Sequence, residues 1–212
     1  MNCCQCQGLE SLFDQKTATK ELESYRQKGS AKTTQMLIQA LKAKAVANLT
    51  LLDVGGGVGA IQHALFKAGI RQATHVDASS AYLRASQEEA QRQGHSDRIT
   101  YRFGNLIELA PELGPVDIVT LDRVVCCYHD VEALIEASAK LAGQRIGLVY
   151  PRETWWLEIG RLLINTTVWV QRNPFRFFVH PTSTIEAILR QYGFERRFYQ
   201  KTFLWQVAVY AK

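Results

Sequence analysis

No apolar run in the 212 residues approaches the ~18 that a membrane-spanning helix needs, so no span is expected. The opening MNCCQCQGLESLF lacks a basic stretch followed by an apolar core. No secretory signal is therefore expected, and the expectation is a cytoplasmic protein with a frayed N-terminus. Repeats, low-complexity tracts and Gly/Ser linkers are absent, which argues against a solenoid or a string of domains. The five cysteines are odd in number and fall in two clusters, which does not suggest a secreted disulfide framework. Cys3, Cys4 and Cys6 hold one C-x-x-C, but no second pair stands at zinc-finger spacing. Inert thiols and no metal are the expectation. The alternative is a metal or metalloid site joined to Cys126 and Cys127 by folding.

Hydrophobic residues make up 47% of the chain, enough for a sizeable core in one α/β domain with attachments. The net charge of +5 suits an anionic partner. The basic residues are scattered, however, and are densest only at Arg190, Arg196, Arg197 and Lys201. A solvated basic surface is therefore expected rather than a nucleic-acid interface. The sequence sets no oligomeric state.

Two helical patterns come first. DQKTATKELESYRQKG has Asp14 or Thr17 as its cap, and SAKTTQMLIQALKAK has Ser30. Strands and helices then alternate. The strands are LTLLDVG, ATHVDAS, ITYRFGN, VDIVTLD and RIGLVYP, and Ser79 or Ser80 and Asp130 cap two of the helices between them. This βαβ rhythm implies a parallel sheet covered on both faces, with its ligand in the crevice beyond the strands' carboxyl ends. After Pro151 a long helical stretch, the loop PFRFFVHP and a short helix lead to two strand-like runs. Those runs are too close for a crossover and should be antiparallel neighbours.

The run LLDVGGGVGA, residues 51–60, is a buried strand turning under a nucleotide. Gly55, Gly57 and Ala60 fit the dinucleotide pattern, whereas Asp53, Gly55, Gly57 and Gly59 fit acid-x-G-x-G-x-G, found where S-adenosylmethionine (SAM) binds. The rest of the chain decides between them. About 48 residues precede the run and about 60 follow the fifth strand, ending in an antiparallel pair and not in a second mononucleotide-binding half. The ordered set of the glycine run, Asp77 ending the next strand, Gly-Asn after the third, Asp122 after the fourth and the terminal pair resembles the class I SAM-dependent methyltransferases. The resemblance spans about residues 49–212. It implies a Rossmann-like fold with a seven-stranded, mostly parallel sheet and an antiparallel C-terminal strand. Residues 1–48 would form a helical cap, and about 152–182 a substrate-covering insert.

The resemblance makes SAM the cofactor. Its site would comprise Asp53, Gly55, Gly56, Gly57, Gly59, Asp77, Ala78, Asn105, Leu106 and Asp122. Asp77 would accept the ribose hydroxyls, its other role being an acid at the next helix's N-terminus. Asp53 would either touch cofactor or orient the loop. Asn105 stands where the family commonly has an acid, and would bond an adenine edge or cap a helix.

Methyl transfer needs an aligned nucleophile and, for a hydroxyl or amine, a proton acceptor. His129 and Tyr128 are the catalytic candidates, against readings as a surface residue and a core ring. Tyr25, Arg26, Tyr150, Arg152, Trp155 and Trp156 are the substrate candidates. The aromatic stretch with Trp155, Trp156, Phe175, Phe177 and Phe178 would form either a lid or a satellite core. The acceptor is expected to be a small molecule of acidic or aromatic character. Magnesium-protoporphyrin methyltransferases look similar, but their isoleucine-histidine-tyrosine run is here Val125, Cys126, Cys127 and Tyr128, with histidine only at 129. A nucleic-acid or protein methyltransferase is a further alternative, although N-P-P-Y and D-P-P-Y are lacking. A non-catalytic SAM-binding module is another.

Overall fold

Helix starts follow the capping chemistry. The Asp14 side chain accepts from Thr17 N–H and opens a helix at Gln15–Lys28. Ser79 accepts from Tyr82 N–H and Asp130 from Ala133 N–H, opening Ser80–Gln93 and Val131–Leu141. Ser30 does not cap. The next helix, Lys32–Lys42, starts after Ala31 without a side-chain bond, and Ser30 offers its carbonyl to Gln35 at 2.7 Å. The computed structural model describes residues 4–212, with side chains from Gly8 onward. Cys3 and the side chains of Cys4 and Cys6 lie outside the described residues. The expectation of a frayed N-terminus is corrected from residue 4, because Cys4–Leu12 is helical and Leu9 is buried.

In chain order the elements are α1 (Cys4–Leu12), α2 (Gln15–Lys28), α3 (Lys32–Lys42), β1 (Thr50–Val54), α4 (Ala60–Phe66), β2 (Gln72–Asp77), α5 (Ser80–Gln93), β3 (Ile99–Phe103), α6 (Leu106–Leu109), β4 (Val116–Asp122), α7 (Val131–Leu141), β5 (Ala142–Pro151), α8 (Trp155–Val170), α9 (Thr182–Gln191), β6 (Glu195–Lys201) and β7 (Trp205–Ala211). The sheet runs β3-β2-β1-β4-β5-β7-β6. The first five strands pair parallel, and β7 lies antiparallel to both β5 and β6. The alternation predicted the parallel sheet, and the resemblance implied this seven-stranded Rossmann-like order, whose direction of winding reverses between β1 and β4.

Period-2 alternation splits each buried strand between two cores. Leu52, Val54, Leu121, Ile146, Leu148 and Tyr150 face α6, α7 and α9. Leu51, Ile118, Val149 and Val209 face α3 and α4. α3 is thus one of the helices covering the sheet, with Leu37 and Leu41 fully buried. Arg145, itself buried, crosses from β5 to donate to the carbonyls of Leu41 at 3.1 Å and Ala45 at 2.8 Å. These bonds satisfy acceptors left over at the C-terminal end of α3. α8 is turned the other way. Val168 is buried, while Trp155, Ile159, Leu162, Leu163, Trp169 and Val170 are exposed.

Three of the four basic residues clustered near the C-terminus are ion-paired, and Lys201 lies over the Tyr199 ring. Arg190 and Arg196 reach Glu186, and Arg197 reaches Glu195 at 2.9 Å. Among the described residues no helix is long and apolar enough to cross a membrane.

Candidate active site

A cavity of about 700 Å³ opens beyond the carboxyl ends of β1, β2 and β4. The glycine run forms its floor. Gly55 and Gly57 have φ of 58° and 56°, a region L side chains rarely adopt, and both line the cavity. A Cβ on Gly56 would stand 2.8 Å from Asp53 Oδ2 and 2.7 Å from His75 Cε1, two buried groups with little room to move. Gly59 does not line the cavity. Its open side is filled by Ser86 and His63, so its role is to let α4 start close against α5.

Asp77 ends β2 in the cavity wall. One carboxylate oxygen accepts from Ser79 N–H at 2.8 Å, the other from Gly57 N–H at 3.1 Å. The acid therefore ties the glycine loop to the start of α5, and each oxygen keeps a lone pair for a further donor. Ala78 lines the cavity beside it. Asp53 pairs in register with His75 on the neighbouring strand and is fully buried beneath the loop. Thr120 hydroxyl donates to its Oδ1 at 2.7 Å, while Oδ2 has no protein partner. Burial pushes the Asp53 carboxyl up to about 6, against a smaller opposing pull from His75. Asp122 ends β4 facing the cavity, accepts from Thr34 hydroxyl at 2.5 Å and pairs with Arg123 at 3.1 Å. Arg123 has a φ of 63°, unusual for a residue with a side chain, and this aims it along the cavity wall.

Several sequence-predicted residues sit elsewhere. Asn105 is buried, caps α6 through Ile107 N–H at 3.0 Å and accepts from Tyr128 hydroxyl at 2.9 Å. Leu106 turns its side chain wholly into the core. Neither lines the cavity, although Gly104 just before them does. Tyr128 lines it, whereas His129 is exposed and outside it. Tyr25 lines it too. Arg26 instead forks to Glu88 at 2.9 Å and Glu89 at 2.8 Å, clamping α2 to α5. Tyr150 is a core residue, because it shares the inward face of β5 with Ile146 and Leu148. Arg152 donates to the carbonyls of Thr202 at 3.1 Å and Phe203 at 3.4 Å, holding the β6–β7 turn. Trp156 stacks on Phe203 at 4.6 Å and Trp155 is 76% exposed, so neither lines the cavity.

Other residues take those places. Leu9 from the first helix, Phe13 just after it, Glu21, Ser24 and Lys28 from the second, and Phe175 and Phe177 from the loop after α8 complete the wall. Asn165 fastens that loop, bonding Phe177 N–H at 2.7 Å and its carbonyl at 2.9 Å. Period 3.6 in α2 could have marked Glu21 and Tyr25 as one face. Nothing local marks Phe175 and Phe177. Among the described residues no group of three metal-ligating side chains converges.

Residues 52–143 match the family described as "Methyltransferase domain". The chain is 36% identical over 87 residues to the ubiquinone/menaquinone biosynthesis C-methyltransferase UbiE of Allorhizobium ampelinum, covering 40% of this chain and 34% of that protein. It is 26% identical over 110 residues to the ribosomal protein L11 methyltransferase of Alkaliphilus metalliredigens, covering 51% and 35%. The chain thus spans about a third of the length of these curated relatives. The fold is similar to magnesium protoporphyrin IX methyltransferase from Synechocystis with bound S-adenosylhomocysteine (SAH), with a TM-score of 0.70, 22% identity, and 85% and 82% of the two chains covered. The same enzyme has also been solved with SAM bound. Residues 52–143 thus match a methyltransferase domain, and the strand order and glycine-floored crevice give the chain the Rossmann-like methyltransferase fold.

Proposed function

We propose that this protein transfers the methyl group of SAM to a small acceptor of acidic or aromatic character. The observation that carries the reading is one cavity holding both a nucleoside-type floor and an apolar wall. Its 700 Å³ lies within the ~300–1,000 Å³ usual for ligand sites, and leaves room for a small acceptor beside the cofactor. The floor fits SAM. A Cβ on Gly57 would stand toward Tyr82 and Glu21, which line the cavity, so glycine there keeps the cradle open, and the Asp77 carboxylate faces the space where ribose hydroxyls need acceptors. Bound SAM supplies a methyl group already activated on a sulfonium.

The chain's residues bind and align. Backbone N–H groups of Gly55 to Gly57 and the Asp77 carboxylate would hold the cofactor, with Asp122 and Glu21 lending negative charge toward its cationic groups. Phe13, Phe175 and Phe177 would exclude water and stack an aromatic acceptor. Arg123 would pair an acidic group on it. Tyr128, anchored through its hydroxyl to Asn105, would form the positioning wall that separates the two ligands. A tetrapyrrole acceptor is a second reading, favoured by the similarity in fold to the Synechocystis enzyme over 85% of the chain.

SAH at ~100 times its dissociation constant should add about 2.7 kcal/mol to the folded state and raise Tm, whereas NAD should not. Asp77→Ala should weaken SAH by about 1.5–3 kcal/mol in calorimetry with native circular dichroism, through loss of charge-assisted hydrogen bonds. Stabilisation by NAD alone, or unchanged SAH affinity in the variant, would overturn the assignment.

A further inference from the structure

α8 is amphipathic with its apolar side turned outward. At 3.6 residues per turn, an arc about 120° wide runs from Trp169 round to Leu163. It holds no charged side chain, Thr166 is its one polar member, and every residue in it is exposed. A stripe of that width ordinarily faces a core. Here the core side belongs to Val168, which is buried against Leu9 and Phe175. The apolar surface continues past the helix. Trp156 stacks on Phe203 at 4.6 Å, and Arg152 N–H donates to the Leu204 carbonyl at 3.0 Å, which holds the exposed β6–β7 turn beside the start of α8.

Spacing, area and charge narrow the partner. Trp155, Ile159, Leu162, Thr166 and Trp169 follow one another at steps of four, three, four and three. That is the alternation of the two seam positions in a pair of packed helices, and Leu163 and Val170 flank it. With Phe203 and Leu204 the exposed side chains make a patch on the order of 1,000 Å², against ~300–600 Å² for the largest patch of an ordinary monomer. A specific interface buries ~800 Å² on each partner, so the face is large enough to pair with itself. A helix lying in a membrane surface carries many Lys and Arg on its polar side. α8 has one basic residue, Arg161, and Glu158 holds it at 2.7 Å.

We propose that two copies of this protein pair through α8, antiparallel about a two-fold axis near Leu162 and Leu163, the middle of the helix. The face then covers itself, Trp155 of one copy lies toward Trp169 of the other, and assembly stops at two. None of the seam residues lines the cavity, so the pairing does not depend on the transfer reading.

The test uses the full untagged chain. Sedimentation equilibrium should find twice the chain mass at micromolar concentration, falling toward the single mass on dilution. Tryptophan emission should move to the blue over the same concentrations, as Trp155 and Trp169 leave water. Leu162→Glu, at an exposed position, should weaken pairing at least about a hundredfold, because each new carboxylate meets its copy across the axis. Its circular dichroism and SAH-induced stabilisation should stay native. Leu162→Lys alone should behave likewise, and an equal mixture of the two variants should regain the dimer. Should Leu162→Glu fail to fold, the loss of pairing is read in Thr166→Glu, where a polar side chain already stands. A wild type of single-chain mass at about 100 µM overturns the proposal. So does a dimer that survives Leu162→Glu, or a mixture of folded variants that stays monomeric. Wild type that floats as a monomer on vesicles of phosphatidylcholine and phosphatidylglycerol assigns the face to lipid and equally overturns it.

Discussion

Asp53→Asn should make the protein more stable and a poorer binder of SAM. The Asp53 carboxyl is wholly buried, and its folded-state value stands near 6 against an ordinary 3.8. At 1.36 kcal/mol per unit, that difference is about 3 kcal/mol of destabilisation once the acid is ionised. The folded chain holds this proton more tightly than the unfolded chain, so folding takes up a proton between the two values. Stability from this group is therefore greatest below about 4, falls as pH rises to about 6, and is level above. An amide keeps the bond from Thr120, but its new donor lacks an assured acceptor, which costs about 1 kcal/mol. The variant should gain about 2 kcal/mol at neutral pH, or about 4–8 °C in Tm for a chain of this length. The two stability curves should cross at about pH 4.5, and at lower pH the variant should become the weaker by up to about 1 kcal/mol. Thermal unfolding of both across that range isolates the group, since titrations not coupled to it cancel in the difference. In the same samples, SAM affinity should rise with pH through about 6 in the wild type only, as the ionised acid meets a cationic ligand. A stability difference that does not change with pH, or a variant weaker at every pH, would refute the reasoning.

Gly56→Ala should weaken SAH at least tenfold, because the new methyl meets Asp53 and His75 beneath the loop; unchanged calorimetry would show that the loop has room. Phe177→Ala should leave SAH affinity within about threefold while cutting transfer to the true acceptor, since alignment depends on that wall and cofactor binding does not. Parallel loss of both would make Phe177 a fold residue. His129→Gln should retain activity because the residue lies outside the cavity, and a loss beyond tenfold would mean that closure brings it in.

Much of this architecture was legible because its causes are local. The strand ends Asp53, Asp77 and Asp122 and the caps Asp14, Ser79 and Asp130 each announce themselves within a few residues. Tyr150 was also legible by period, since Ile146, Leu148 and Tyr150 alternate inward, yet its place at the strand end drew it toward the substrate. The acceptor wall was not legible. Leu9, Glu21, Arg123 and Phe177 come from four separate parts of the chain, and only packing joins them. The paired tryptophans misled for the converse reason. Large aromatic residues at helical spacing suggest a lid, but α8 buries Val168 and turns Trp155 outward. Ser30 was outdone as a cap by the turn geometry at Ala31, which needs no side chain.

The strand order has a bearing on how the chain is made. β6 precedes β7 in the sequence but lies outside it in the sheet, so β7 must slot between β5 and a strand already synthesised. Until it does, β6 has no sheet neighbour, β5 presents a bare edge, and α3 lacks part of the surface that covers Leu37 and Leu41. A nascent chain paused at that point would expose strand-pairing groups and apolar side chains together, the combination that chaperones shield and aggregates exploit. Synonymous codons that slow the ribosome between residues 201 and 205 should therefore lower the yield of native protein more than the same delay within α5, where the exposed surface is largely polar.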